Sequence, residues 1–358
     1  MPTQQAIAEM VGLSQVTVSD ILKGSVKKKY SKATRRRVIE AAASLNYRPN
    51  RAAQTIRKGK SGLIGFIHTS TFMQVAVERA SYASQAIQKN GYQLMNSEMV
   101  CCDEVNLGKV CDTLLDARVE GIIFAANLPQ YAQPYLERIQ AAGIPIVTLS
   151  GNRIYGAPKI GLDLKESSRR LTRHLIGLGY RRLTMVMPES RPESIHGFSE
   201  RIQAFEEVVA EADLSEAEVV YQPISSKADS LKDSLFEPGR VATLQLLSRS
   251  KRPEAILCSN DYWAMGALRA CAEKKVCVPQ EIAITGFDDT DVGEYAPVSL
   301  TTIAQPTEKL AQKAVALLTS IIRGEKPRIS DEVFTLPGRL VVRESCGAAL
   351  RTNMMNFN

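Results

Sequence analysis

The chain has 358 residues, 44% of them hydrophobic and 23% charged, with a formal net charge of +7 at neutral pH. That length accommodates two or three domains with packed cores, and the composition excludes disordered, collagen-like and coiled-coil classes. No run approaches the ~18–20 consecutive apolar residues of a membrane span, and Met1-Pro2-Thr3-Gln4-Gln5 lacks the basic and apolar stretches of an export signal, so a cytoplasmic location without a membrane partner is expected.

The first sixty residues read as short helices. Gln4 to Val11 carries Ile7, Ala8 and Val11 on one face, and Gly12 marks a tight turn. Ser14 is a suitable N-cap for Gln15 to Leu22, and Ser31 for about Lys32 to Asn46, before Pro49 breaks the pattern. Residues 1–60 hold 13 Lys and Arg against three acids, whereas the rest of the chain holds 32 against 35. All the basic excess therefore lies at one end, which fits either a polyanion contact or a solvated basic surface.

From Gly62 onward strands alternate with helices. The strand candidates are Gly62–Ile67, Gly121–Phe124, Ile146–Leu149, Leu183–Met187, Ala255–Cys258 and Ile282–Phe287. Helical segments lie between them at Val75–Lys89, Leu107–Ala117, Gln133–Ala142, Lys165–Leu178, Phe198–Ala212, Arg240–Leu247 and Tyr262–Lys274. This alternation predicts parallel sheets covered by helices, and its length predicts two lobes with a ligand cleft beyond the carboxyl ends of the strands.

Chemistry-bearing motifs are sparse. The seven cysteines are odd in number and form no C-x-x-C pair, and the three histidines have no metal-site spacing, so reduced thiols and no cofactor or metal are expected. There is no G-x-S-x-G elbow and no phosphate-binding loop, which argues against an enzyme.

The stretch Ala8-x-x-x-Gly12-x-Ser14-x-x-Thr17-Val18-Ser19 has helix-turn-helix spacing, with Val18, Ile21 and Leu22 inward and Gln15, Val16, Ser19 and Asp20 outward on the second helix. With Tyr47-Arg-Pro-Asn-Arg-Ala-Ala-Gln-Thr-Ile-Arg57, Gly62-Leu-Ile-Gly65, His174-Leu-Ile-Gly-Leu-Gly-Tyr-Arg-Arg182, Ser259-Asn-Asp261, Gly286-Phe-Asp-Asp289 and Leu300-Thr-Thr-Ile-Ala-Gln-Pro306, the chain resembles the lactose-repressor/galactose-repressor (LacI/GalR) family of bacterial transcription regulators. The resemblance implies an N-terminal all-α helix-turn-helix domain followed by an α/β, two-lobed, periplasmic-binding-protein-like (type I) effector domain with parallel sheets. The implied division is 1–48 for DNA binding, 49–61 for a hinge helix and linker, 62–345 for effector binding and dimerisation, and 346–358 for a tail.

It further implies a cytoplasmic homodimer on a palindromic double-stranded DNA operator, most simply a repressor. Gln15, Val16 and Asp20 would face base edges, and Ser14, Thr17, Ser19, Ser31 and Thr34 would position the unit on phosphates. Asp20 stands where the family usually has arginine; it either reads a cytosine amino group or pairs with a nearby cation and reads nothing. Lys27, Lys28 and Lys29 either neutralise phosphate or form a solvated turn. Asn50, Ala53 and Ile56 belong to the hinge segment, with Ile56 either a minor-groove wedge or a linker contact.

For the effector domain the resemblance points to Phe72, Asp163, Ser194 and Asp261, with Asp261 either bonding ligand hydroxyls or capping the helix near Tyr262. Asp288-Asp289 reads as a turn or hinge. Ser194 stands at the place of a family arginine, three residues before Gly197-Phe198, so habitual sugar contacts are missing. The effector is then either a carbohydrate-like or atypical small molecule, or a partner protein replaces it.

Overall fold

A computed structural model describes residues 2–22, 30–47, 60–69, 73–99, 104–126, 132–151, 153–189, 196–223, 235–327 and 331–350. Two compact units divide at Ser61 and Gly62.

The first unit contains three helices: α1 (Gln4–Val11), α2 (Gln15–Leu22) and α3 (Lys32–Ser44). Thr3 Oγ1 accepts from the Ala6 amide at 3.2 Å and opens α1. Gly12 closes it at φ 65°, a left-handed conformation that glycine adopts without a Cβ penalty. Helix α3 ends at Ser44, two residues before the expected Asn46, because Asn46 takes φ 49° and leaves the helical region. Ile7, Ala8, Val11, Val18, Ile21, Val38, Ala41 and Ala42 form the core, so one face of each helix is consumed by the other two. Arg37 ties α3 to the end of α1 by donating to the Val11 carbonyl at 2.7 Å.

The second unit contains two parallel sheets. The larger has strands β1 (Leu63–Thr69), β2 (Gln93–Met99), β3 (Gly121–Ala125), β4 (Ile146–Leu149), β5 (Lys159–Asp163) and β11 (Val333–Pro337), in the order β11-β5-β4-β3-β1-β2. The smaller has β6 (Leu183–Pro188), β7 (Glu218–Gln222), β8 (Ala255–Cys258) and β9 (Ala283–Thr285), in the order β7-β6-β8-β9. Helices α4 (Gln74–Lys89) and α12 (Thr307–Ile322) cover one face of the larger sheet, where Ala83, Ile87, Leu310, Ala314 and Leu318 meet Ile64, Phe66 and Ile123. Helices α5 (Glu104–Asp116) and α6 (Gln133–Ala141) cover the other. The smaller sheet lies between the pair α7 (Leu164–Gly177) and α8 (His196–Glu211) and the pair α9 (Glu237–Leu247) and α10 (Asp261–Glu273). A short α11 (Asp291–Glu294) follows β9.

The chain passes between lobes at Asp163–Leu164, again between β10 (Thr302–Ala304) and α12, and finally between β11 and β12 (Arg339–Val341), which pairs antiparallel with β10. Ser167 fastens two of these passages together: its hydroxyl donates to the Asp163 carbonyl at 2.5 Å and accepts from the Gly338 amide at 2.9 Å. Gly338 must be glycine, since a Cβ there would meet Ile303 Cγ2 at 2.3 Å. Among the described residues, no helix is long and apolar enough to cross a membrane.

Candidate nucleic-acid interface and effector cleft

Helix α2 presents its recognition face because Val18 and Ile21 are spent on the core. Gln15 is exposed and Val16 is 62% exposed, an apolar side chain held out where a thymine methyl could meet it. The Ser14 hydroxyl accepts from the Thr17 amide at 3.2 Å and lies 2.9 Å from the Thr17 hydroxyl. At the start of α3 the same pattern recurs: Ser31 Oγ accepts from the Thr34 amide at 3.0 Å and lies 2.8 Å from the Thr34 hydroxyl. Two hydroxyl pairs thus mark two helix N-termini, where the backbone dipole also favours an anion.

One expectation is corrected here: Ser19 is not on the outer face but buried, 7% exposed. Tyr30 Oη donates to Asp20 Oδ2 at 3.1 Å, and Asp20 is half-buried. Lys27, Lys28, Lys29, Asn50, Ala53 and Ile56 lie outside the described residues.

In the second unit the carboxyl ends of the two sheets approach each other. The Gln74 amide at the start of α4 donates to Tyr262 Oη at 3.2 Å, and the Asp291 amide donates to Gln74 Oε1 at 2.9 Å. The chain is strained there: Ser150, just past β4, has φ 63°, and Asp288 and Asp289, past β9, have φ 117° and 56°. Buried polar atoms without a hydrogen-bond partner among the described residues gather at the same ends. They include both ring nitrogens of His68, Ser150 Oγ, Ser259 Oγ, Thr285 Oγ1 and Arg201 Nε. Buried polar groups are nearly always satisfied, so these atoms are candidates for contact with a bound group.

Asp261 is fully buried and committed to the fold. Its Oδ2 accepts from the Thr290 amide at 2.6 Å and the Thr290 hydroxyl at 3.0 Å, and its Oδ1 accepts from Thr302 at 2.6 Å. Burial raises its pKa even though these bonds favour the charged form. It does not cap α10; Asn260 does, accepting from the Trp263 amide at 2.9 Å. Asp163 caps α7, accepting from the Glu166 amide at 2.9 Å. Phe72 and Ser194 lie outside the described residues.

Two groups were missed. Arg201, on α8, is 4% exposed; it donates to the Ser259 carbonyl at 2.7 Å, and its guanidinium sits 3.8 Å from the centre of the Phe287 ring. Burial lowers its pKa to about 10. Arg201 also stands three residues before Ala204-Phe205. Asp288, read as a turn, indeed turns, but its side chain also faces the cleft groups. It accepts from Gln305 Nε2 at 2.6 Å, and burial, with Asp261 nearby, pushes its carboxyl up to about 7.

Residues 3–50 match the family described as bacterial regulatory proteins, lacI family, and residues 172–346 match a periplasmic binding protein-like domain. The chain is 27% identical over 357 residues to the HTH-type transcriptional regulator CelR of Thermobifida fusca, covering 96% of this chain and 98% of that protein. It is 27% identical over 352 residues to the HTH-type transcriptional repressor PurR of Histophilus somni, covering 96% and 99%. Among solved structures, the lac repressor dimer bound to operator and the anti-inducer ONPF aligns with a TM-score of 0.79 at 26% identity, covering 96% of this chain and 99% of that one. The chain thus carries a lacI-family helix-turn-helix domain ahead of a periplasmic-binding-protein-like domain, its relatives over nearly the whole length are transcriptional regulators of the lactose-repressor/galactose-repressor family, and its structure fits a DNA-binding regulator with a two-lobed effector domain.

Proposed function

We propose that this regulator acts in the cytoplasm as a repressor, that two copies bind a palindromic operator, and that a small molecule in the inter-lobe cleft sets the affinity. Gln15 and Val16 read base edges, and the hydroxyl pairs Ser14/Thr17 and Ser31/Thr34 settle on phosphates. Lys27, Lys28 and Lys29 add phosphate neutralisation, and Asn50, Ala53 and Ile56 serve the hinge in the minor groove. The observation that carries DNA binding is the exposed Gln15–Val16 pair beside two hydroxyl-marked helix N-termini, in the segment with 13 bases against three acids. The unsatisfied polar atoms at the strand ends favour a small molecule over a partner protein as effector. Phe72, Asp163, Ser194 and Asp261 are assigned to the cleft, Asp163 and Asp261 shaping it through their bonds to the fold. An effector acts by binding the open and closed lobe arrangements unequally, and so shifting the passages joined at Ser167. Genome-wide mapping of bound DNA, with and without metabolites related to the adjoining genes, tests this reading. Occupied palindromes whose occupancy changes with one metabolite support it; scattered, metabolite-independent occupancy contradicts it.

A further inference from the structure

We infer that the free edge of the larger sheet, at β11, takes up an extended acidic segment of a partner protein. The segment pairs with β11 as an added strand and seats alternate side chains in the groove between β11 and α12. Strand β11 pairs with β5 on one side and ends the sheet on the other. The Lys159 amide donates to the Glu332 carbonyl at 2.8 Å. Peptide groups alternate in direction along a strand, so Phe334 and Leu336 also turn theirs toward β5, and Val333 and Thr335 turn theirs outward. Such edges are usually blunted by charge, a bulge or proline. Here Val333–Leu336 has no charged residue, Val333 is 52% exposed, and proline comes at Pro337, the end of the strand. The outward amides and carbonyls of Val333 and Thr335 are what an added strand pairs with.

Beside this edge lies a surface cavity of about 390 Å³, to which Ile160, Leu317 and Phe334 contribute apolar surface. Its lining also holds three lysines, Lys159, Lys313 and Lys326, against one acid, Glu332. Lys313 Nζ stands 4.7 Å from the centre of the Phe334 ring, which places a cation directly over the apolar surface. The lysines that form salt bridges among the described residues are Lys165 and Lys251, so the three of the groove are open to a partner's carboxylates. An added strand runs ~4.8 Å from β11 and turns every second side chain to the groove. Acids two residues either side of an apolar one then meet lysines while the apolar side chain fills the space between them. A basic segment is repelled, a neutral one gains the pairing alone, and a free anion leaves the strand edge unpaired. Lys159 and Val333 are the first residues of β5 and β11, whereas the effector cleft lies beyond the carboxyl ends of the strands. A bound segment and a cleft ligand therefore do not compete for space.

The test titrates the full-length protein into fluorescent peptides of about seven residues and reads anisotropy. The peptides carry Asp or Glu at the second and sixth positions, Phe, Leu or Val at the fourth, and Ser or Thr elsewhere. Controls replace the acids by lysine, or methylate alternate backbone nitrogens so that the peptide cannot pair. At least one acidic peptide is expected to bind about tenfold or more tightly than its lysine counterpart at roughly 0.1 M salt. Thr335→Pro removes an outward amide at an edge position, where proline is tolerated, and is expected to abolish binding. Lys313→Glu is expected to erase the acidic preference, and melting temperatures check that both variants fold. No binding of any acidic peptide up to about 1 mM overturns the inference. So does equal binding of the lysine counterparts, or an acidic preference unchanged in Lys313→Glu. Undiminished binding of the methylated peptides would assign the groove to anions in general and overturn the strand pairing. Self-association beyond a dimer that Thr335→Pro removes, without peptide binding, would give the edge to a second copy and overturn the partner.

Discussion

The Tyr30 hydroxyl donates to Asp20 Oδ2 at 3.1 Å, fastening the outer edge of the recognition helix to the segment that enters the next helix. The carboxylate is half-buried, whereas Val16, one turn earlier, stands 62% exposed. Position on the helix therefore does not by itself decide which side chains reach a base. Asp20→Asn, which can still accept from Tyr30, is expected to leave the preferred operator unchanged in a binding-site selection. A changed preference confined to one base pair would show that Asp20 reads DNA.

Gln15 and Val16 have no such restraint from the core. Val16→Ala is expected to weaken operator binding by ~1 kcal/mol, and Gln15→Ala by ~1–3 kcal/mol with relaxed specificity at a single base pair. Titrations of each variant against the operator and its single-base variants provide the check. A uniform loss across all sequences would reassign both residues to backbone contacts.

Ser167 joins two inter-lobe passages through one hydroxyl. Ser167→Ala leaves the buried Gly338 amide without its acceptor and is expected to cost ~1–3 kcal/mol in urea denaturation. Gly338→Ala is expected to cost more, because its Cβ would lie 2.3 Å from Ile303 Cγ2 and cannot be accommodated without moving β10. Equal stability of both variants and the parent would mean that the passages are not held at this point.

The Asp288 carboxyl, pushed up to about 7 from an ordinary 3.8, gives the cleft a pH response. The folded state holds more protons than the unfolded one between those values, so stability from this group is fully present below about 3.8 and is lost progressively as pH rises from there to about 7. Asp288→Asn keeps the acceptor for Gln305 but cannot ionise. It is expected to melt above the parent at pH 8, by a margin that shrinks as the pH falls and disappears only below about 4. Parallel pH profiles of parent and variant would contradict this.

Much of the architecture was legible because burial writes itself into apolar runs. The central strands β1, β3, β4, β6 and β8 are covered on both faces, and each is a continuous hydrophobic stretch. Of the strands that escaped notice, β2, β7 and β11 lie at sheet edges, where Gln93–Met99 and Glu218–Gln222 are too polar and half-exposed to stand out, β10 and β12 are three-residue strands of a separate pair, and the interior β5 is masked by Lys159 and Asp163 at its ends. Helix α12 was missed despite a clear period through Leu310, Ala314, Leu318 and Ile321. The helix-turn-helix was readable because Ala8, Gly12 and Val18 are fixed by close packing and a left-handed turn. Arg201 escaped notice because the nearby Gly197-Phe198 offered the expected pair, whereas Arg201 precedes Ala204-Phe205. The cleft role of Asp288 depends on consecutive positive φ values, which aspartates do not announce in sequence.

The central claim is that the basic three-helix unit recognises a specific palindrome, and selection from a random duplex library with the full-length protein tests it most directly. At roughly 0.15 M salt the selected sequence should be a palindrome bound about a thousandfold or more above random duplex, with the preference altered by Gln15→Ala. Enrichment of no sequence, or equal affinity for selected and random duplexes with and without candidate metabolites, would contradict it.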